Sequence, residues 1–131
     1  AINMQNKGEI ISCDMYEHKA KLIENSAKRL SIDIIKTKVC DSAVFDENLG
    51  QFDCILCDVP CSGLGVISRK PEIKYKDFGE FENLPEIQYK ILTNAKNYLK
   101  STGRIMYSTC TLRKAENEEI ILKLVENNME E

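Results

Sequence analysis

The sequence predicts an α/β fold, a parallel sheet with helices on both faces. Three observations carry this expectation. Short apolar runs alternate with segments of helical period, the pattern of strands joined by crossover helices. The run Phe52-Asp53-Cys54-Ile55-Leu56-Cys57-Asp58 is apolar enough for a strand buried on both faces. Three of the expected strands are closed by an acid, Asp14, Asp41 or Asp58, at the end where ligands meet sheets of this kind.

Taken in order, Gly8 to Asp14 reads as a first strand. Tyr16 to Leu30 then reads as a helix, with Ala20, Ile23, Ala27 and Leu30 on one face and Lys19, Lys21, Glu24 and Lys28 on the other. Ile34 to Cys40 is a second strand and Phe52 to Asp58 a third. Residues 59 to 83 hold two of the three prolines and little periodicity, which predicts a long irregular excursion. A helix is expected from Pro85 to Leu99, with Ile87, Ile91, Leu92, Ala95 and Leu99 as its stripe and Pro85 tolerated in the first turn. Gly103 restarts the chain, Arg104 to Cys110 is a fourth strand, and Lys114 to Asn127 a last helix.

A chain of 131 residues with 43% apolar content suits one domain over residues 1–131. Eighteen basic against 21 acidic residues leave a formal charge of −3, so any nucleic-acid contact must be a local patch. No run approaches the roughly 18 apolar residues of a membrane span, and the first residues lack signal-peptide architecture, which predicts a soluble, cytoplasmic protein. The six cysteines sit in apolar runs. Cys54 and Cys57 lie an odd number of residues apart in a strand and so point to opposite faces, which argues against a shared metal. Cys13, Cys40, Cys54 and Cys57 are expected to be small buried hydrophobes.

Aspartates are common where strands give way to turns, so each acid has a plain structural explanation. Their joint place at one rim supports a functional one, and Asp14 is placed to accept hydrogen bonds from ribose hydroxyls. Asp58-Val59-Pro60-Cys61-Ser62-Gly63-Leu64-Gly65 runs from a strand into a proline-fixed turn, a thiol and two glycines that permit close backbone approach. Ser108-Thr109-Cys110-Thr111 brings a second thiol to another strand end. Two thiols and an acid suit one difficult reaction. Carbon 5 of cytosine is too weak a nucleophile to take a methyl group until a thiolate adds to carbon 6. An acid can steady the adduct at the exocyclic amine and ring nitrogen 3, and a second thiol can help to dissolve it.

These segments, followed by Glu116-Asn117-Glu118, closely resemble the Sun (Fmu, Nop-related) family of S-adenosylmethionine-dependent RNA 5-methylcytosine methyltransferases. The resemblance implies that Cys110 attacks carbon 6 and that Cys61 promotes product release. It implies that Asp58 contacts both the cytosine and S-adenosyl-L-methionine, with Pro60 beside it in the cofactor set. Ile11 to Lys19 looks like the family's ribose-binding segment, which assigns Asp14 to the ribose and Met15 to the adenine. Val39 to Ser42 resembles the segment that meets the adenine amine, which assigns Asp41. His18 reads as a surface helix residue.

Against the family pattern, the sequence lacks the first sheet strand with its glycine-rich loop and the terminal strand pair. The expected fold is therefore a truncated Rossmann-like methyltransferase sheet with a gap or an unpaired edge, through which copies could associate. Weak cofactor binding, and inactivity of these residues alone, are expected in consequence. RNA, with small-subunit ribosomal RNA suggested by the family's bacterial members, is the expected partner. Arg69, Lys70, Lys74 and Lys76 against the single acid Glu72, with Tyr75 available to stack on a base, form the expected contact. The acids Glu116, Glu118 and Glu119 are expected to face away from it. The alternative is a catalytically inactive RNA-binding or assembly module with the same fold.

Overall fold

The structure is a computed structural model that describes residues 1–129. The chain forms two compact units, one from Ala1 to Val44 and the other beginning at Phe45.

The first unit is a β-α-β crossover. Strand β1 (Ile10–Asp14) pairs in parallel with β2 (Ile35–Val39), in a register that sets Ile10 against Ile35 and Asp14 against Val39. Helix α1 (Glu17–Arg29) joins them. Its expected stripe is realised at Ala20 and Ala27, which are buried, and at half-buried Ile23, while Leu30 is the exposed C-cap. Small residues at the contact let the helix lie close to its strands. Ser31 then turns the chain with a φ of 52°.

In the second unit β3 (Phe52–Asp58) pairs in parallel with β4 (Leu99–Ser108), and α2 (Leu84–Asn97) makes the crossover. Helix α3 (Glu118–Met129) follows. Cys57, Val59, Leu92, Ala95 and Ile120 form the core, with Ile55, Ile105 and Tyr107 packed against it. Burying each larger aliphatic side chain contributes roughly 1.5–3 kcal/mol. Residues 59 to 83 contain no α-helix or strand, only short 3-10 turns, and Ile73 and Phe81 anchor this excursion by burial.

Five expectations need correction. Strand β3 is buried on one face only: Cys57 is 6% exposed, whereas Leu56 is 64% exposed and its cross-strand neighbour Met106 is 63% exposed. In a two-stranded sheet one face packs on helices and the other stays open, and Cys54, on the open face, is exposed. Cys13 and Cys40 are only half-buried. Helix α2 stops at Asn97, before Leu99, because the Phe52 N–H donates to the Tyr98 carbonyl at 2.7 Å and draws Leu99 into the sheet. Tyr98 itself is held by Phe45, whose ring stacks on it at 5.0 Å. Gly103 consequently lies inside β4, at an irregularity where a Cβ would sit 2.9 Å from Leu99 Cγ. Lys114–Glu116 is a separate 3-10 turn, and α3 begins only after Asn117.

Among the described residues the four strands make two separate pairs, β1 with β2 and β3 with β4, so each strand carries an unpaired edge. This is a truncated Rossmann-like arrangement of parallel strands and crossover helices. No described helix is long and apolar enough to cross a membrane.

Candidate active site

The parallel register of β3 and β4 places Asp58 opposite Ser108, and the Ser108 hydroxyl donates to Asp58 Oδ1 at 3.1 Å. The chain leaves each strand there. Pro60-Cys61-Ser62 comes from one end and Thr109-Cys110-Thr111 from the other, and the Cys61 and Cys110 sulfurs lie 2.9 Å apart. The Cys110 N–H also donates to Cys61 Sγ at 3.2 Å. Cys61 is half-buried and Cys110 exposed, so the pair is open to a reagent from solvent.

Two further contacts weld the loops. The Ser62 and Thr111 hydroxyls are 2.7 Å apart, and the Gly65 N–H donates to the Cys110 carbonyl at 3.0 Å. The sequence assigned the glycines to close approach of backbone. Here the partner of that approach is Cys110 itself: a Cβ on Gly65 would lie 2.9 Å from the Cys110 carbonyl oxygen. Gly63 adopts a φ of 75°, a conformation costly for residues with a Cβ.

Beneath the thiols lies a polar network that sequence reasoning missed. Glu116 is fully buried rather than solvent-facing. Asn117 breaks the helical path: its side chain accepts from the Thr109 hydroxyl at 2.6 Å and donates to the Thr111 and Arg113 carbonyls. That break turns Glu116 inward, where Oε2 accepts from the Ser62 N–H at 2.9 Å and from Gln88 Nε2 at 3.0 Å. Oε1 faces the Arg113 guanidinium at 3.2 Å. Burial by itself would raise this carboxyl, but hydrogen bonding from Ser62 and Gln88, together with the Arg113 charge, holds it below its ordinary value. The Glu116-Asn117-Glu118 segment was the available signal in the sequence.

The thiols differ. Cys57 is pushed up to about 11 by burial and acts as core packing. Cys110 is raised chiefly by its hydrogen bond with Cys61, then by burial and by the charges of Cys61 and Asp58. The contact with Cys61 therefore makes Cys110 harder to deprotonate than an ordinary thiol. Tyr107 is pushed up to about 12 by burial and by neighbouring Glu116, and its hydroxyl donates to the Glu116 carbonyl at 2.8 Å.

In the first unit, Asp14 closes β1 and Asp41 lies just beyond the end of β2. Asp14 Oδ1 accepts from the Tyr16 N–H at 2.9 Å, and Oδ2 lies 3.9 Å from Lys19. Asp41 Oδ1 accepts from the Ala43 N–H at 2.9 Å. Both acids thus make the turn contacts that strand-end aspartates favour, through one oxygen each. Met15 is exposed, and so is His18 on α1. In the second unit Arg69, Lys70, Lys74, Tyr75 and Lys76 are all exposed, Tyr75 to 89%. Lys76 faces Glu80 at 3.9 Å. Pro60 is exposed, with its carbonyl accepting from Gln88 at 2.8 Å.

Residues 1–130 match the family described as 16S rRNA methyltransferase RsmB/F. The chain belongs to this family. It is 42% identical over 128 residues to the probable ribosomal RNA small subunit methyltransferase B of Bacillus subtilis, covering 95% of this chain and 29% of that protein. It is 32% identical to a Drosophila melanogaster tRNA (cytosine(34)-C(5))-methyltransferase, covering 92% of this chain and 18% of the relative. Among solved structures, NSun6 from Pyrococcus horikoshii with SFG superposes with a TM-score of 0.87 at 30% identity, covering 97% of this chain and 33% of that one. The chain thus spans about a third or less of these RsmB/F-like relatives. Family and fold agree with the sequence resemblance on both counts.

Proposed function

We propose that residues 1–131 are part of the catalytic domain of an S-adenosylmethionine-dependent RNA cytosine-C5 methyltransferase, acting on small-subunit ribosomal RNA, and that Cys110 is its nucleophile. The observation that carries this reading is the pairing of Cys61 and Cys110 at 2.9 Å beside Asp58, at the carboxyl ends of adjacent parallel strands. The RsmB/F family, with its ribosomal and transfer RNA methyltransferases, supports the reaction class.

The steps follow from the chemistry of the side chains. A cytosine entering the rim separates the two thiols, and loss of the contact with Cys61 removes the leading cause of the raised Cys110 titration. Cys110 gives its proton to Asp58, and its Sγ donates the freed electron pair to carbon 6. The ring's double-bond electrons shift toward nitrogen 3, and carbon 5 becomes nucleophilic. Asp58 accepts from the 4-amino group and passes the proton taken from Cys110 on to nitrogen 3. S-adenosylmethionine, when bound, supplies the methyl group to carbon 5. Cys61, its own proton given to water, then takes the carbon 5 proton. The electron pair of the C–H bond re-forms the ring double bond, the carbon 6–sulfur bond breaks with its pair returning to Cys110, and nitrogen 3 returns its proton through Asp58 to Cys110.

The donor set of the first unit suits the cofactor. Asp14 and Asp41 are carboxylates at a sheet rim, acceptors for ribose hydroxyls and an adenine amine, and their turn contacts use Oδ1. Met15 offers an exposed apolar side chain for the adenine. Arg69, Lys70, Lys74, Tyr75 and Lys76 supply exposed charge and a stacking ring for RNA.

The test is a pair of variants in the full-length protein. Cys110→Ala should abolish methyl transfer, and Cys61→Ala should accumulate a covalent protein–RNA adduct resistant to denaturant. Full methylation by Cys110→Ala would overturn the assignment, and RNA binding without methylation of any cytosine would favour an assembly role.

A further inference from the structure

Cys61 is bracketed by two buried side chains. The carbonyl before it, of Pro60, accepts from Gln88 Nε2 at 2.8 Å, and the N–H after it, of Ser62, donates to Glu116 Oε2 at 2.9 Å. Gln88 joins the two arms by donating to the same Glu116 oxygen at 3.0 Å. Gln88 and Glu116 are both 0% exposed. Glu116 is itself fixed on the Cys110 side of the site, through Arg113 at Oε1 and through Tyr107 at its carbonyl. Helix α2 and the turn after Cys110 therefore grip the peptide groups on either side of one thiol.

The geometry points to Gln88 and Glu116 as positioning residues that set Cys61 against Cys110 for the release step, a role that rests on the reaction proposed above. A second observation separates this from ordinary packing. Gln88 Oε1 is buried with no hydrogen-bond partner among the described residues. An unsatisfied buried acceptor is destabilising, and an apolar side chain of similar shape would avoid that cost. Both partners of Nε2 are acceptors, so the amide cannot turn over to relieve it. What the glutamine gains for that cost is the hold on Pro60 and Glu116.

The experiment compares Gln88→Met with Leu92→Val in the full-length protein. The first keeps volume and removes the clamp. The second loosens the core at a residue 1% exposed and leaves the clamp intact. Two readings are taken at matched thermal stability. One is the rate at which diamide joins Cys61 and Cys110 in a disulfide, the two thiols being oxidised as the diazene is reduced to the hydrazine. The other is the ratio of covalent adduct to 5-methylcytosine with S-adenosylmethionine and total RNA from cells lacking the protein. Gln88→Met should slow the joining by about tenfold or more and raise the ratio toward that of Cys61→Ala, since small misplacement of a reacting group costs large factors in rate. Leu92→Val should change neither. Equal behaviour of the two variants would overturn the inference. Should Cys61→Ala fail to accumulate adduct, the release role of Cys61 falls, and the diamide rate still decides whether Gln88 places it.

Discussion

Gly65 donates its N–H to the Cys110 carbonyl at 3.0 Å, and there is no room between them for a methyl group. The obstacle is backbone, not the end of a flexible side chain, so an added Cβ must push the two loops apart. Gly65→Ala is expected to cost about 1–3 kcal/mol of stability, the range for overpacking. It should also displace Cys110 and lower methyl transfer more than cofactor binding. Thermal melts and initial rates of the full-length protein check this. An alanine variant with unchanged stability and rate would show that the loops do not require the close approach.

The contact between the thiols sets the chemistry of Cys110. Because Cys61 is the leading cause of its raised titration, Cys61→Ala should move the Cys110 alkylation profile to lower pH, toward the ordinary value of 9.0. Cys110 should then react faster with iodoacetamide near pH 8, about one unit below that value, where the thiolate fraction is small and rises steeply. Mass spectrometry of the Cys110 peptide across a pH series gives the curve. Superimposable curves for the two proteins would mean that the thiols titrate independently.

How much of this was legible in the sequence depended on the range of the forces involved. The run from Phe52 to Asp58 announced β3 to the residue, because a short, strongly apolar segment bounded by polar residues is a local signal. The end of α2 was not local. Leu99 continues the apolar stripe, and only the capture of the Tyr98 carbonyl by Phe52 takes it into the sheet. The thiols and Asp58 were legible as candidates because their residue types and strand-end positions carry chemistry. Glu116 was not, since an acid at the start of a helix ordinarily faces water. Its inward turn is imposed by Asn117, whose amide binds the backbone of the Cys110 loop. Gln88 is one polar residue among several on an amphipathic helix, and nothing in its period reveals that the Pro60 carbonyl and Glu116 both accept from its amide.

Burial of Glu116 as a carboxylate makes stability depend on acid in a defined direction. Its folded-state titration lies below the ordinary value of 4.5, so the charged form is favoured more in the folded chain than in the unfolded one. The contribution is complete above 4.5 and is lost as pH falls through the lowered folded value. Protonation would leave Arg113 without its carboxylate and weaken the hold on the Ser62 N–H. Glu116→Gln removes the charge at every pH and should destabilise the neutral-pH protein by about 3 kcal/mol, the scale for breaking a buried pair. Other carboxylates titrate in the same range, so the informative quantity is the stability gap between wild type and variant. Urea unfolding at a series of pH values should show that gap constant near neutrality and closing below 4.5. A gap that stays open in acid would assign the effect of the substitution to packing and not to the charge that Ser62, Gln88 and Arg113 surround.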